Sequence, residues 1–262
     1  TIVMSYNVAG FLSNPQLGPA TSTLDSVAAL IRGAKPDILC LQEFQSNSAQ
    51  AKPRIDSLIA MPYHKVNYKV PNSNGGGWGL AIYSRYRMIH SGVVDFEHTT
   101  NSALWADMVA GGDTVRVFNC HLQTTSVNRA DLEYIMRQEY LGEEGDGGGR
   151  VKNIASKLRN NFRIRAGQAD SLAVIIGESP YRVIVCGDFN DTPMSYAYRT
   201  IRGGLRDSFV EKGRGVPNTY KGLFNLFRID YILHSPDIET TGYATPESPY
   251  SDHKPVVAGL DI

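Results

Sequence analysis

The feature that most constrains the fold of this chain is a succession of short apolar runs, which are rich in β-branched and aromatic residues. Gly, Asn, Ser and Asp separate these runs, as is typical of turns between strands. The runs are "IVMSYNV", "DILCLQE", "YHKVNYKV", "GWGLAIYS", "MIHSGVVDF", "ALWADMVA", "TVRVFNCHL", "YRVIVCGDF", "FRIDYILH" and "PVVAGLDI". We predict a strand at each, and the close spacing of the central ones favours antiparallel pairing.

Helical spacing of apolar residues appears between some of these strands. It predicts helices over residues 24–32, 49–59 and 151–176, the last through Ile154, Leu158 and Phe162, and a short helix begins near Pro193. The alternation of strand, helix and strand near the start indicates an α/β fold. Residues 142–149, "GEEGDGGG", predict a flexible loop within an insertion. With no linker that divides the chain, we predict one domain over residues 1–262.

Composition narrows the class of protein. The 26 basic and 26 acidic residues give no net charge, which argues against bulk nucleic-acid binding through a basic surface but leaves a local groove open. The cysteines Cys40, Cys120 and Cys186 lie within apolar runs, so we expect buried core residues and no disulfide framework. No run reaches the roughly 18 apolar residues of a membrane span. The start at Thr1 suggests a mature or excised segment.

Ionisable and amide side chains recur at or inside the apolar strands. Such groups are costly there unless they are paired, hydrogen-bonded or bound to a metal. If the strands share a direction, their ends meet at one edge and form a single cluster. Its members are Asn7, Glu43, His121, Asp188, Asn190, Asp230, Asp252 and His253.

The chemistry of this set points to phosphoester hydrolysis. Carboxylate and amide oxygens are the hard ligands that Mg²⁺ or Mn²⁺ prefers, and such an ion can grip a phosphate oxygen. His121 and His253 can exchange protons near neutral pH. For "GDFNDTP" the backbone interpretation is a tight turn, and a turn or helix start is also what we expect to explain Asp191, whereas the chemical interpretation is that Asp188 and Asn190 hold an acid and an amide at the rim of a sheet.

Six motifs carry a resemblance to a known family. "SYNV", "LQE", "CHL", "GDFND", "RIDYIL" and "SDHKPV" occur, over residues 2–257, in the order and rough spacing of the endonuclease/exonuclease/phosphatase superfamily. The resemblance implies a four-layer α/β sandwich, with two facing mixed sheets flanked by helices and the site at one end of the sheets.

The resemblance also implies roles for the clustered residues. Glu43 resembles the principal metal ligand, with Asn7 and Asp252 on the same side, and the expected cofactor is Mg²⁺ or Mn²⁺. Whether one or two ions act is left open.

The remaining residues resemble the catalytic group of the family. Asp188 resembles the acid that orients or deprotonates water, and Asn190 the amide that holds the phosphate. His253 resembles the phosphate-contacting histidine with Asp230 as its partner, and His121 occupies the position linked with the leaving group. Which of Asp188 and His253 is the base stays open.

One glycine-rich stretch, "GGGWGLAIYSRY", departs from part of the family. Trp78 either enters a strand from a loop or stacks on a substrate group. Pancreatic-type deoxyribonucleases carry an acid hereabouts, and residues 71–84 contain none, which weakens that analogy and leaves the proton donor for the leaving group open.

The insertion has segregated charge, with six acids over residues 131–146 and six bases over residues 150–165. The bases form either a solvated helix face or a contact with phosphate-rich or membrane surfaces through Lys157, Arg159, Arg163 and Arg165. The insertion resembles bacterial members that follow an N-terminal membrane segment, so membrane attachment of the parent chain is an expectation.

The sequence therefore predicts a divalent-metal-dependent phosphoester hydrolase. Its substrate would be a nucleic acid, a phospholipid headgroup or a small phosphorylated metabolite, and no motif indicates a protein partner. The alternative is a non-catalytic domain that keeps the fold and binds phosphate esters.

Overall fold

The computed structural model describes residues 1–12, 22–125, 147–222 and 225–262. Within them the strands are β1 Ile2–Asn7, β2 Ile38–Ser46, β3 Tyr63–Pro71, β4 Gly77–Ser84, β5 Arg87–Asp95, β6 Ser102–Ala110, β7 Asp113–His121, β8 Arg182–Asp188, β9 Arg206–Asp207, β10 Asp230–His234, β11 Glu239–Ala244 and β12 Val256–Asp261. The helices are α1 Leu24–Ala34, α2 Lys52–Ile59, α3 Gly147–Gly177, α4 Tyr196–Arg202 and α5 Ser208–Lys212, with a 3₁₀ turn at Ala9–Phe11.

The strands form two six-stranded sheets. The first has the order β11-β12-β1-β2-β4-β3 and the second the order β5-β6-β7-β8-β10-β9. Each sheet is mixed, because β1 pairs with β2 and β7 with β8 in parallel while their other neighbours are antiparallel. One parallel pair therefore lies at the centre of each sheet, and the strands of each pair end side by side.

The alternation of side chains along the strands explains the layers. In β1, Val3 belongs to the apolar cluster between the two sheets, whereas Met4 belongs to the cluster with Val27 and Ile31 of helix α1. The second sheet likewise has one face in the cluster between the sheets, and its outer face packs against Leu172 of helix α3. Successive strand residues point to opposite faces, so each strand contributes to two layers. The predicted four-layer α/β sandwich with two mixed sheets is confirmed.

Helix α3 corrects two parts of the sequence interpretation. It begins at Gly147, so the last three residues of the predicted loop 142–149 are helical, and residues 142–146 lie outside the described residues. Phe162 was placed on the apolar face but is 47% exposed, while Asn161 and Arg165 are buried. A spacing of four residues drifts by roughly 40° per step around a 3.6-residue helix. The row through Ile154 and Leu158 therefore turns outward at Phe162.

Smaller predictions have mixed outcomes. Helix α2 begins at Lys52, later than residue 49, and helix α4 begins at Tyr196, where the Ser195 hydroxyl accepts the Tyr198 N–H as an N-cap. The three cysteines are buried and free, as expected. No helix among the described residues is long and apolar enough to cross a bilayer. The assignment of the chain to one domain stays a prediction.

Candidate active site

Three of the predicted residues stand side by side across the second sheet. His121, the last residue of β7, lies in register with Asp188, and Asp188, the last residue of β8, lies in register with Asp230, the first residue of β10. All three side chains are buried or nearly so, with Asp188 and Asp230 each only 1% exposed. The strand ends thus bring together residues that are far apart in the sequence.

The "GDFND" turn holds its two candidate residues by local backbone geometry. Gly187 has φ +145°, and a Cβ there would collide with the carbonyl oxygen of Cys120, so only glycine lets β7 and β8 approach so closely. Asn190 has φ +53°, and its N–H donates to Asp188 Oδ1 at 2.8 Å. The Asn190 amide also donates to the Leu122 carbonyl at 3.0 Å. The hydrogen bonds that form the turn therefore also fix the side chains of Asp188 and Asn190 in the candidate site.

Asp191 serves the turn, as expected, and also anchors it. Its Oδ1 accepts the Thr192 N–H at 3.0 Å, and its Oδ2 accepts Arg165 Nε at 2.9 Å. Arg165 also donates to the Gln123 carbonyl, and its side chain is fully buried. Arg165 therefore does not belong to an exposed basic face, whereas Lys157 and Arg159 are exposed.

His253 lies between two carboxylates. Its Nδ1 is 2.9 Å from Asp230 Oδ2, and its Nε2 is 3.6 Å from Asp188 Oδ2. Burial raises the pKa of Asp230 to about 6, although the facing His253 favours the charged carboxylate. Burial alone would lower the pKa of His253, but Asp230 and Asp188 outweigh it and hold that pKa well above its usual value. The two carboxylates therefore favour the protonated form of His253.

The first sheet contributes two more candidates. Asn7 ends β1, and its side-chain amide donates to Asp188 Oδ2 at 3.0 Å, which joins the two sheets. Glu43 lies in β2 where the register with β4 shifts between Leu41 and Phe44, and it has φ +52°. Such a bulge re-aims a side chain, and non-glycine residues with positive φ are strained. The bulge places Glu43 Oε1 3.7 Å from His121 Nε2.

Asp252 lies at the same end of the sheets, because the neighbouring residue Ser251 is hydrogen-bonded to Asn7. The Ser251 hydroxyl donates to the Asn7 carbonyl at 2.7 Å, which fixes the segment 251–253 against the end of β1. Asp252 is half-buried, and its own carbonyl accepts the Lys221 N–H at 2.8 Å. Eight candidates from both sheets thus share one end of the sandwich.

The balance of charge at this end is negative. Four carboxylates, those of Glu43, Asp188, Asp230 and Asp252, accompany two imidazoles. Asp188, Asp230 and His253 have ligand atoms within 4.8 Å of one another and so could themselves hold a cation. This group differs from the predicted ligands Asn7, Glu43 and Asp252. Both nitrogens of His253 already face carboxylates, and the predicted set offers the hard oxygen donors that fit Mg²⁺.

Trp78 flanks this site without pointing to a function by itself. It lies near the start of β4 in register with Gln45, two residues beyond Glu43, and is half-buried. A Cβ on Gly10 would meet its ring at 3.0 Å, so the ring lies against that turn. Its contact with a substrate stays a prediction.

Two supporting residues were missed by the sequence interpretation. Thr219 is fully buried, and its hydroxyl oxygen accepts the Asp230 N–H at 3.1 Å. Ser251 accepts the His253 N–H at 3.1 Å besides holding Asn7. Ser251 stands directly before Asp252, so the motif "SDHKPV" contained its signal, whereas nothing around Thr219 in the sequence marks it.

Comparison with known proteins gives the family. A profile of the Endonuclease/Exonuclease/phosphatase family matches residues 4–253. No curated protein matches. Among solved structures, an endonuclease/exonuclease/phosphatase from Beutenbergia cavernae is 18% identical with a TM-score of 0.71, covering 99% of this chain and 70% of that chain. Humanized D. rerio TDP2 carrying 14 mutations is 16% identical with a TM-score of 0.69, covering 100% and 98%.

The human Nocturnin catalytic domain, solved with a bound sulfate anion, is 19% identical with a TM-score of 0.66 and covers 99% of this chain and 93% of that chain. At these identities the solved structures show the shared fold alone. The family profile adds the sequence pattern, since it extends over all the candidate residues from Asn7 to His253. The chain belongs to the endonuclease/exonuclease/phosphatase family.

Proposed function

We propose that this protein is a divalent-metal-dependent hydrolase of phosphoric esters. The observation that carries the proposal is the position of His253 between Asp188 and Asp230, at the end of the sandwich where Glu43 and Asn7 arrive from the other sheet. The activities named in the family description, nuclease and phosphatase, all hydrolyse phosphoric esters.

The donor chemistry of the site fits Mg²⁺ or Mn²⁺. Glu43, Asn7 and Asp252 would hold the ion, because they offer carboxylate and amide oxygens and the site has more carboxylates than imidazoles. When bound, such an ion supplies Lewis-acid polarisation of a phosphoryl oxygen.

The residues of the chain have distinct tasks in this proposal. Protonated His253, held by Asp230, donates a hydrogen bond to a phosphoryl oxygen and stabilises the negative charge that develops on it. Asp188 offers a carboxylate oxygen that orients or deprotonates the attacking water. Asn190, fixed by the turn, holds the phosphate, and His121 faces the leaving group.

The substrate class follows from the same chemistry. A nucleic acid, a phospholipid headgroup or a small phosphorylated metabolite would each present a suitable phosphoester. Membrane attachment of the parent chain stays a prediction from the resemblance. A non-catalytic domain that binds phosphate esters would require that the site lacks turnover although its residues are all present.

The experiment is hydrolysis of a panel of esters with Mg²⁺, Mn²⁺ or EDTA. The panel contains bis-p-nitrophenyl phosphate, p-nitrophenyl phosphate, single- and double-stranded DNA, RNA, sphingomyelin and inositol phosphates. The double variant Asp188→Asn, His253→Ala serves as the inactive form, and His90→Ala, at an exposed histidine that also faces a carboxylate, is the matched control. Metal-dependent turnover lost only in the double variant supports the proposal. Binding without turnover under every metal would favour the non-catalytic alternative.

A further inference from the structure

We propose that a second site, behind the catalytic histidine, binds a phosphate group carried by a small molecule. This site, the rear pocket, is a cavity of about 460 Å³. Its walls include Lys212, Arg214, Asn218, Tyr243, Glu247 and Lys254. None of these belongs to the candidate active site, and binding here requires neither a metal ion nor turnover.

The rear pocket and the active site lie on opposite sides of one extended segment. His253 turns its ring to Asp230, whereas the next residue, Lys254, points its ammonium group to Glu247 and Asn218. The Lys254 N–H donates to the Thr219 carbonyl at 2.7 Å, and the hydroxyl oxygen of Thr219 accepts the Asp230 N–H. The wall of the pocket is therefore also the support of the catalytic pair.

The charge of the pocket suits an anion. Three cationic side chains, those of Lys212, Arg214 and Lys254, line it together with a single carboxylate, that of Glu247. The net charge of about +2 matches the charge of −1.5 to −2 that a phosphate monoester carries at neutral pH. Asn218 adds an amide that can donate to a phosphate oxygen.

Lys254 is the residue that makes this a site rather than a basic surface. Its side chain is 6% exposed, and a buried ammonium group is costly unless an anion compensates it. The compensating group is Glu247, 2.6 Å away, whose side chain is 78% exposed. A phosphate that replaces Glu247 would release that carboxylate into water, so exchange would leave no buried charge without a partner.

The size of the cavity indicates the rest of the ligand. Its volume lies in the range of pockets for small molecules, roughly 300–1,000 Å³, and exceeds what one phosphate fills. The aromatic rings of Phe209 and Tyr243, with centroids 5.5 Å apart, supply an apolar wall. A ligand with a phosphate and a flat organic group, as in a mononucleotide, would match the cationic side chains with its phosphate and the aromatic rings with its flat group.

The test is isothermal titration with inorganic phosphate and with AMP, in EDTA so that hydrolysis does not interfere. Wild-type protein is compared with the double variant Lys212→Ala, Arg214→Ala, whose two side chains are exposed and can be removed without disturbing the core. We expect Kd to rise at least about tenfold, because two charge-assisted hydrogen bonds are lost. Glu247→Gln removes the competing carboxylate and is expected to tighten binding.

The active-site variant Asn190→Ala is the matched control, because it removes the amide proposed to hold phosphate in the active site, keeps the net charge and does not line the rear pocket, so it should bind AMP there as wild type does. Equal affinity for phosphate and AMP would assign the pocket to the phosphate group alone, and tighter binding of AMP would add the aromatic wall. No saturable binding, or binding that survives in the double variant and is lost in Asn190→Ala, would overturn the inference. Binding that depends on the active-site residue would place the anion in the active site. Turnover in the ester panel tests the proposed hydrolase function separately, so failure of one proposal can be told from failure of the other.

Discussion

Two buried ionic groups in this protein have similar distances between their oppositely charged atoms, but they differ in the number of positive and negative groups. In the first, Arg228 Nη1 lies 2.8 Å from Asp207 Oδ2, and neither side chain is more than 4% exposed. In the second, His253 Nδ1 lies 2.9 Å from Asp230 Oδ2, with Asp188 on the other side of the ring. The closest distances differ by 0.1 Å, so distance does not separate them.

The number of charges does separate the two groups. Arg228 faces one carboxylate, and the rings of Phe209 and Tyr231 lie 4.8 Å from its guanidinium carbon, so the pair is compensated and enclosed. Around His253 the carboxylates are in excess, and only a proton or a bound cation can compensate them. The matched pair of Arg228 and Asp207 fits a structural role, whereas the excess of carboxylates around His253 fits the catalytic role that we propose for it.

The largest expected effect is on stability, from Arg228→Met. It leaves Asp207 buried without its partner, which typically lowers the free energy of unfolding by about 3–5 kcal/mol. Urea denaturation measures this change. Replacing both residues, as Arg228→Met with Asp207→Asn, should restore part of the loss, and a near-neutral single variant would contradict the structural role of the pair.

The second effect is on turnover, from His253→Ala. Loss of a charge-stabilising or acid–base group usually lowers kcat by a factor on the order of 10² or more. Steady-state kinetics on the best ester of the panel measures it, with circular dichroism to verify folding. A variant that keeps its turnover but loses stability would place His253 with Arg228 among the structural groups.

The third effect is on metal dependence, from Glu43→Gln. The substitution keeps the shape of the side chain and removes one negative charge, so we expect the half-saturating Mg²⁺ concentration to rise roughly tenfold. The increase in Tm that Mg²⁺ causes should shrink in parallel, because a bound ligand stabilises the folded state. Wild-type Mg²⁺ dependence in both measurements would exclude Glu43 as a ligand.

The smallest effect is expected at the surface, from Asp25→Asn. Arg54 and Asp25 approach to 2.9 Å, but both side chains are about two-thirds exposed. Exposed pairs contribute about 0–1 kcal/mol, since water already solvates both charges. Urea denaturation should therefore show a change much smaller than for Arg228→Met. If Asp25→Asn lowered the free energy of unfolding as much as Arg228→Met does, burial would not be what determines the contribution of these ion pairs to stability.

Much of the fold, and the residues of the candidate site, could be predicted from the sequence. Short apolar runs rich in β-branched and aromatic residues indicated most of the strands, and acids at strand ends such as Asp188 indicated the candidate site, because both signals are local. The same locality explains the errors, since the buried face of helix α3 depends on what packs against it. For that reason Phe162, which was expected on the buried face, is exposed, and Arg165 is buried.

How the candidate residues come together could be seen only in the folded chain. The register of β7, β8 and β10 brings His121, Asp188 and Asp230 to one level, and the bulge in β2 turns Glu43 toward them. Thr219 has no sequence signal, because its hydrogen bond to the Asp230 backbone joins segments that are distant along the chain. Residue types state which chemistry a chain can perform, but pairing between strands sets the distances at which it is performed.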